Sequence, residues 1–317
     1  MNSIEVLRPS LLIGNSQHLS RIDHWLSVLN WSNGWHYDLD LIWLYNHLET
    51  LGLKKGSTIL DAGGGLGVNQ FVLASLGYNV ISLDFTLREI PKLAKGIFNI
   101  ELKQDAFRGG THEYMEFMNY GQKRSQARRL IPMKHILAAI TNPGKAKYVL
   151  EKRLREHINF SHAKELKRDH SQFGSITFLR GAFNSIPLPD RSVDALVSIS
   201  AFEHNTYADM PGSVHEFTRV VKPGGAVYVT TSLAKDRDWF FEPSKGWNLT
   251  LGSLHKWFDL TVPGSVDYDA VLNEFRQSEL LKGRLSPFYK YNGNNGLPYA
   301  KLEQAQYIPV GISKLLT

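Results

Sequence analysis

The stretch Ile59–Asp84, ILDAGGGLGVNQFVLASLGYNVISLD, sets five glycines between two aspartates, four of them within Gly63–Gly67. A short apolar run, STILDA, enters the glycines, a helical pattern at Val68–Leu76 leaves them, and a second apolar run, NVISLD, ends on Asp84. Glycine admits positive φ and lets a ligand come close to the backbone. A helix opening directly after such a loop presents N–H groups that have no partner inside the helix. Asp84 follows Asp61 by 23 residues, and a carboxylate at that strand end accepts hydrogen bonds from ribose hydroxyls in nucleoside-binding βαβ units. Asp61, Gly63, Gly65, Gly67 and Asp84 are therefore candidates for a nucleoside site.

Spacing separates the possible ligands. A phosphate loop needs Gly-Lys-Ser/Thr, whereas Gly67 is followed by Val68-Asn69, so that class is excluded. The dinucleotide fingerprint is G-x-G-x-x-G. Here the glycines fall at 63, 65 and 67, and Val68 stands where the last should be. That weakens the NAD reading and leaves it open.

Outward from the loop, further apolar runs follow: ITFLRG, VDALVSIS and GAVYVTTS, each bounded by Gly, Pro or Asp. Helical spacing separates them at Leu87–Ala94 and Asp209–Val221, and precedes the loop at His18–Leu29 and Asp38–Leu51. Alternation of this kind predicts an α/β fold, doubly wound around a mostly parallel sheet. GRLSPFYKY and AQYIPVGISK read as two closing strands, which brings the expected sheet to seven. One interval breaks the rhythm. Residues 101–170 read as basic amphipathic helices around the turn TNPGK and are expected to form an inserted lid or partner surface. The expected organisation is thus 1–100 for the amino-terminal helices and first half of the sheet, 101–170 for the insertion, and 171–317 for the second half with a carboxyl-terminal substrate segment.

The remaining ligand class enters by resemblance. Asp61-Ala62-Gly63-Gly64-Gly65-Leu66-Gly67 resembles the first motif of class I S-adenosyl-L-methionine-dependent methyltransferases, D/E-x-G-x-G-x-G, with each defining position filled. GAFNSIPLPDRSVDALVSISAFEH (Gly181–His204) is similar to the family's third-to-fourth-strand segment, and EFTRVVKPGGAVYVT (Glu216–Thr230) to its helix, KPGG turn and fifth strand. The resemblance implies S-adenosyl-L-methionine as cofactor and S-adenosyl-L-homocysteine as product. It implies a cofactor site at Asp61, Gly63, Gly65, Gly67 and Asp84, completed by Phe85, Ala182, Phe183, Ser200 and Tyr37. At Ala182 the family commonly carries Asp or Asn for the adenine amino group. Alanine makes no such bond, so backbone near Phe183 and stacking on Phe85 or Phe183 are expected to replace it.

Methyl transfer from a sulfonium needs alignment above all, and a base where the nucleophile carries a proton. His204, in SAFEHN after the predicted fourth strand, is the candidate base; Glu203 beside it reads equally well as structural. Trp239, Phe240, Phe241, Trp247, Trp257 and Phe258 can wall an acceptor pocket or fill a core. Asp236 and Asp238 read as a solvated loop.

Bulk composition narrows the function further. The chain has no cysteine, which excludes disulfides, thiolate zinc sites, iron–sulfur clusters and a thiol nucleophile. No His pair or carboxylate cluster has metal-ligand spacing, so no metal is expected. The net charge of +6 is concentrated: residues 101–170 hold fifteen Lys/Arg and eight Asp/Glu. A small-molecule hydroxyl or amine acceptor is the first reading. RNA or DNA gripped by the basic interval is the second. Against it, SAFEHN lacks the Asn/Asp-Pro-Pro-aromatic phrase of amino-directed nucleic-acid enzymes. A cofactor-binding subunit that docks a partner is the third. No secretory leader or membrane-span-length apolar run is visible, so a cytoplasmic address is expected; the oligomeric state is left open.

Overall fold

The computed structural model describes residues 2–29, 31, 33–34, 36–65, 67–86, 90–103, 172–242, 244–260, 266–292 and 305–317. Apart from its first three residues, the basic interval 101–170 lies outside them. One eight-stranded sheet comprises β1 (Ser3–Val6), β2 (Thr58–Ala62), β3 (Asn79–Asp84), β4 (Asn99–Lys103), β5 (Ser175–Arg180), β6 (Val193–Ile199), β7 (Val221–Leu233) and β10 (Ile308–Leu315). Their order is β1-β10-β7-β6-β2-β3-β5-β4. The six strands from β7 to β4 pair in parallel, and β10 and β1 close the other end antiparallel. β8 (Trp239–Phe241) and β9 (Gly246–Asn248) form a separate antiparallel pair.

The parallel strands read as continuous apolar runs because both faces are covered: Val193, Ala195, Leu196 and Val197 are all fully buried. The chain leaves β2 in one direction through α3 (Asn69–Ser75) to β3, and leaves β6 in the other through α5 (Met210–Val220) to β7. Right-handed crossovers then place α3 and α5 on opposite faces. The reversal of direction lies between β2 and β6, and ligands of open α/β sheets bind beyond the strand ends at such a point.

The helices α1 (Ser16–Leu29) and α2 (Tyr37–Leu51) join α3 in one layer. Trp25 Nε1 donates to Ser75 Oγ at 3.0 Å. α2 is apolar nearly all round, as a helix buried between a sheet and another helix must be. It carries two buried carboxylates, Asp38 and Asp40, in its first turn, where the helix dipole favours negative charge. Gly52, in the left-handed conformation at φ +68°, ends it. α4 (Lys92–Ile97) leads into β4, and α6 (Leu251–Phe258) and α7 (Tyr268–Gln277) follow β9.

Two readings of the sequence are corrected. GRLSPFYKY lies in α8 (Glu279–Asn292), not in a strand: Leu281 and Leu285, one turn apart, are buried at 1% and 4%. Arg284, between them, donates to Asp23 at 2.7 and 2.9 Å and to Asp38 at 2.8 Å, joining α8 to α1 and α2. The sheet has eight strands because β1 and β4 join it; β4 covers Glu101–Lys103, so regular sheet runs into the interval read as strand-free. Among the described residues no helix is long and apolar enough to cross a membrane.

Candidate active site at the carboxyl ends of the strands

The glycine loop is shaped by what surrounds it. Gly63 leaves β2 at φ +81°, and its N–H donates to Leu83 O at 2.8 Å. A Cβ at Gly63 would lie 2.3 Å from Ala201 Cβ and 2.8 Å from Phe183 Cζ, so the segments following β2, β5 and β6 converge on a point with no space for a side chain. A Cβ at Gly64 would sit 2.6 Å from Asp61 Oδ2. Asp61 Oδ1 accepts from Asn69 Nδ2 at 3.1 Å, and Asn69 Oδ1 accepts from Tyr45 at 3.2 Å, which ties β2, the start of α3 and α2 together. Gly65, at φ +47°, donates its N–H to Asp84 Oδ2 at 2.8 Å, and Gly67 donates to Gly64 O at 3.0 Å.

Asp84 thus braces the loop it faces. Its Oδ1 accepts from the Thr86 N–H at 2.8 Å and hydroxyl at 2.7 Å. A carboxylate offers about four lone-pair directions, so three accepted bonds leave room on Oδ2 for a ligand hydroxyl. Phe183 packs edge-on against Phe217, with ring centroids 5.4 Å apart. Phe85 is buried; its carbonyl accepts from Arg180 Nε at 3.1 Å, and that guanidinium sits 6.0 Å from the Phe85 ring centroid. Ala182 is fully buried and makes a bridge to Ser185.

On the β6 side, Ser200 turns the chain at φ +44°, an unusual value for a residue with a side chain. Two bonds hold it there, from its N–H to Thr230 O at 3.1 Å and to Thr230 Oγ1 at 3.0 Å. The Ser200 hydroxyl donates to Asp40 Oδ2 at 2.9 Å, and the same oxygen is 2.8 Å from His36 Nδ1. His36, Asp40 and Ser200 form one buried chain across the sheet end. Phe202–His204 make a 3-10 turn after it. His204 Nδ1 lies 2.8 Å from Lys245 O; a carbonyl only accepts, so Nδ1 carries hydrogen and Nε2 of the neutral ring is the basic nitrogen. Glu203 is buried and its Oε2 has no hydrogen-bond partner. Burial pushes its carboxyl above the ordinary 4.5, although His204 and His36 oppose the shift. Tyr37 leaves 37% of its surface exposed, while burial around its hydroxyl and the charges of Glu203 and Asp40 raise the phenol well above its usual range.

The glycine loop lies at the switch point, where open α/β sheets hold ligands, and Asp84 Oδ2 beside it can accept from a hydroxyl. Residues 155–229, which span β5, β6 and most of β7, match the family described as a methyltransferase domain. This is a class I methyltransferase fold. S-adenosyl-L-methionine is the cofactor of the methyltransferase family matched here. Solved structures similar to the chain include the 4+2 cyclase SpnF, 13% identical, with all of both chains covered and a TM-score of 0.46. Another is phosphoethanolamine N-methyltransferase 2 from Haemonchus contortus, in complex with phosphomonomethylethanolamine and S-adenosylhomocysteine, 14% identical over 86% of this chain and 52% of that one, TM-score 0.40. A third is a SAM-dependent methyltransferase from Aquifex aeolicus, 16% identical over 68% of this chain and 76% of that one, TM-score 0.34. No curated protein matches the chain.

Several residues singled out in the sequence meet different surroundings from those expected. The phrase IPLPD is a structural clasp: Arg219 donates to Leu188 O and Ile186 O at 2.9 Å each and to Asp190 at 2.7 Å, and Glu216 accepts from the Ile186 N–H at 2.8 Å. Asp238 is no solvated loop residue. It accepts from Tyr207 at 2.6 Å, the Thr250 N–H at 2.6 Å and the Ser253 hydroxyl, and these donors hold its carboxyl below the usual range against partial burial. Trp247 and Trp257 flank Tyr207, with centroids at 4.8 and 5.3 Å, whereas Phe258 is core. Sequence reading missed Asp40 and His36. A carboxylate inside the apolar pattern DLIWLY was the available signal.

Proposed function

We propose that this methyltransferase moves a methyl group by direct displacement onto a hydroxyl or amine of a small molecule. Asp84 would hold the ribose hydroxyls, the Gly63–Gly67 backbone the methionine tail, and Phe183 with Phe85 the adenine near Ala182. When bound, the cofactor supplies a methyl group already activated on a positive sulfur. The chain supplies position, exclusion of water and a base. His204 takes the acceptor proton at Nε2, since its other nitrogen is tied to Lys245 O. Ser200, with its hydroxyl on Asp40, holds the turn after β6, and Tyr37 borders the acceptor end.

The observation that carries the small-acceptor reading is the sign of the site. Asp40, Asp61, Asp84 and Glu203, all buried, crowd the strand ends, and such a field repels a phosphodiester backbone while tolerating a neutral or cationic acceptor. Calorimetry with S-adenosyl-L-homocysteine tests the cofactor; heat with NAD and none with this nucleoside would overturn the reading. With an acceptor drawn from a screen of small alcohols and amines, His204→Ala is expected to lower turnover by about 10²–10⁴ and leave nucleoside affinity intact. Undiminished turnover removes His204 from the mechanism. Binding of RNA that collapses with salt would favour a nucleic-acid acceptor instead.

A further inference from the structure

Two carboxylate oxygens in this site, Glu203 Oε2 and Asp40 Oδ1, are buried and accept no hydrogen bond. Their residues are 6% and 0% exposed. They share one neighbourhood. Asp40 is bonded to His36 and to Ser200, three positions before Glu203, and the charges of Glu203 and Asp40 together act on the hydroxyl of Tyr37. Among the described residues no lysine or arginine pairs with either carboxylate; the neighbouring basic groups are the imidazoles of His36 and His204, which carry charge only when protonated. Buried charge without a counterion is costly, and native proteins keep it where something else supplies the partner.

We propose that the acceptor is an amine, bound as its ammonium ion between the carboxylates of Glu203 and Asp40. The proposal rests on the methyltransferase reading and narrows its acceptor class. An ammonium supplies both things the pair lacks, a positive charge and several N–H donors. A phosphate or carboxylate acceptor would add like charge, and a neutral alcohol would leave the charge uncompensated. The pair also positions the nucleophile: one N–H of the ammonium passes its proton to His204 Nε2, giving an imidazolium beside the Glu203 carboxylate and a neutral amine with a free electron pair. The roof is the Lys245–Gly246 corner: a Cβ on Gly246 would lie 3.4 Å from Glu203 Cγ and 3.3 Å from His204 Cε1. The bond between His204 Nδ1 and Lys245 O joins that corner to the turn after β6 and leaves His204 Nε2 facing away from it.

The test is calorimetry on the full chain saturated with S-adenosyl-L-homocysteine, using choline, N,N-dimethylethanolamine and the uncharged isostere 3,3-dimethylbutanol as probes. The two cations are expected to bind more tightly than the isostere by about tenfold or more, and Glu203→Gln to erase that preference, a loss of about thirtyfold for removing one buried charge partner. Asp40→Asn gives a second reading of the same preference should Glu203→Gln melt early. Equal affinity for all three probes, or no binding of the cations, overturns the proposal. So does a Glu203→Gln variant that loses affinity for S-adenosyl-L-methionine and keeps it for S-adenosyl-L-homocysteine, because the carboxylates would then serve the sulfonium. Failure of S-adenosyl-L-homocysteine itself to bind is a different result, which overturns the cofactor reading before any probe is added.

Discussion

Asp84 and Glu203 are both carboxylates at the carboxyl end of the sheet, one at the tip of β3 and the other just past β6, and they are treated in opposite ways. Asp84 accepts from Gly65, from the Thr86 N–H and from the Thr86 hydroxyl. Its charge is compensated before any ligand arrives, and it fixes the loop that a ligand must meet. Glu203 has one oxygen with no donor and a carboxyl raised by burial. Where the cofactor is proposed to bind, Asp84 is braced by bonds within the chain; where the acceptor is proposed to bind, Glu203 Oε2 is buried and accepts none. Preorganised groups are expected on the side that binds the same molecule in every turnover. Unsatisfied groups are expected where function has been kept at the expense of stability.

The sharpest way to break the comparison is to deform the organised half. Gly63→Ala forces a Cβ to within 2.3 Å of Ala201 and demands φ +81° from alanine. Overpacking and left-handed strain together are expected to cost about 3–4 kcal/mol, read as a lower denaturant midpoint and absent heat with S-adenosyl-L-homocysteine. An unchanged midpoint would mean that the loops do not converge as described. Asp84→Ala comes next. It removes three accepted hydrogen bonds and the proposed ribose contact, and an expected loss of about 2 kcal/mol in nucleoside affinity corresponds to roughly thirtyfold. Unaltered affinity would move the ribose elsewhere.

Arg219→Ala probes a third arrangement, a charge fixed by the scaffold away from the cofactor loop. Its guanidinium holds Ile186 O, Leu188 O, Asp190 and Glu216. Truncation is expected to cost about 1.5–2 kcal/mol of stability, because backbone carbonyls lose charged donors, with nucleoside affinity unchanged in calorimetry. A drop in affinity without a drop in stability would make the IPLPD phrase part of the site.

What the sequence disclosed and what it hid follow the same division. The glycine loop, Asp84 and the five central parallel strands were legible because local features impose them: glycine where no Cβ fits, and continuous apolar runs where both faces are covered. β1 was not, since SIEV is four residues long and becomes a strand through pairing with β10, Ser3 meeting Ser313 at a separation of 310 residues. β4 was hidden because an edge strand with exposed Asn99, Glu101 and Lys103 shows no apolar run. α8 was misread because Gly283, Pro287 and its aromatics carry turn and strand signals, while the contacts that favour helix lie in distant α1 and α2. The same limit applies to Asp40: its partner Ser200 is 160 residues away, so only folding reveals that the two share a hydrogen bond.

The smallest effect is the one that isolates Glu203. Its carboxyl is raised in the folded chain above the ordinary 4.5. Below that ordinary value both folded and unfolded chains hold the proton, and Glu203 contributes nothing to the pH dependence of stability. As pH rises from there toward the folded value, the unfolded chain releases the proton first, and stability falls until both forms are ionised. Glu203→Gln has no such proton to release. Whatever constant offset the amide introduces, the melting temperature of the variant relative to the wild type is expected to climb by a few degrees between pH 4 and pH 8. Asp84→Asn supplies the contrast. The Gly65 N–H and both Thr86 donors lose a charged acceptor there, so the variant is expected to melt below the wild type. Parallel pH curves for Glu203→Gln and wild type would mean that Glu203 is compensated in the free protein, and the difference drawn here between the two halves of the site would disappear.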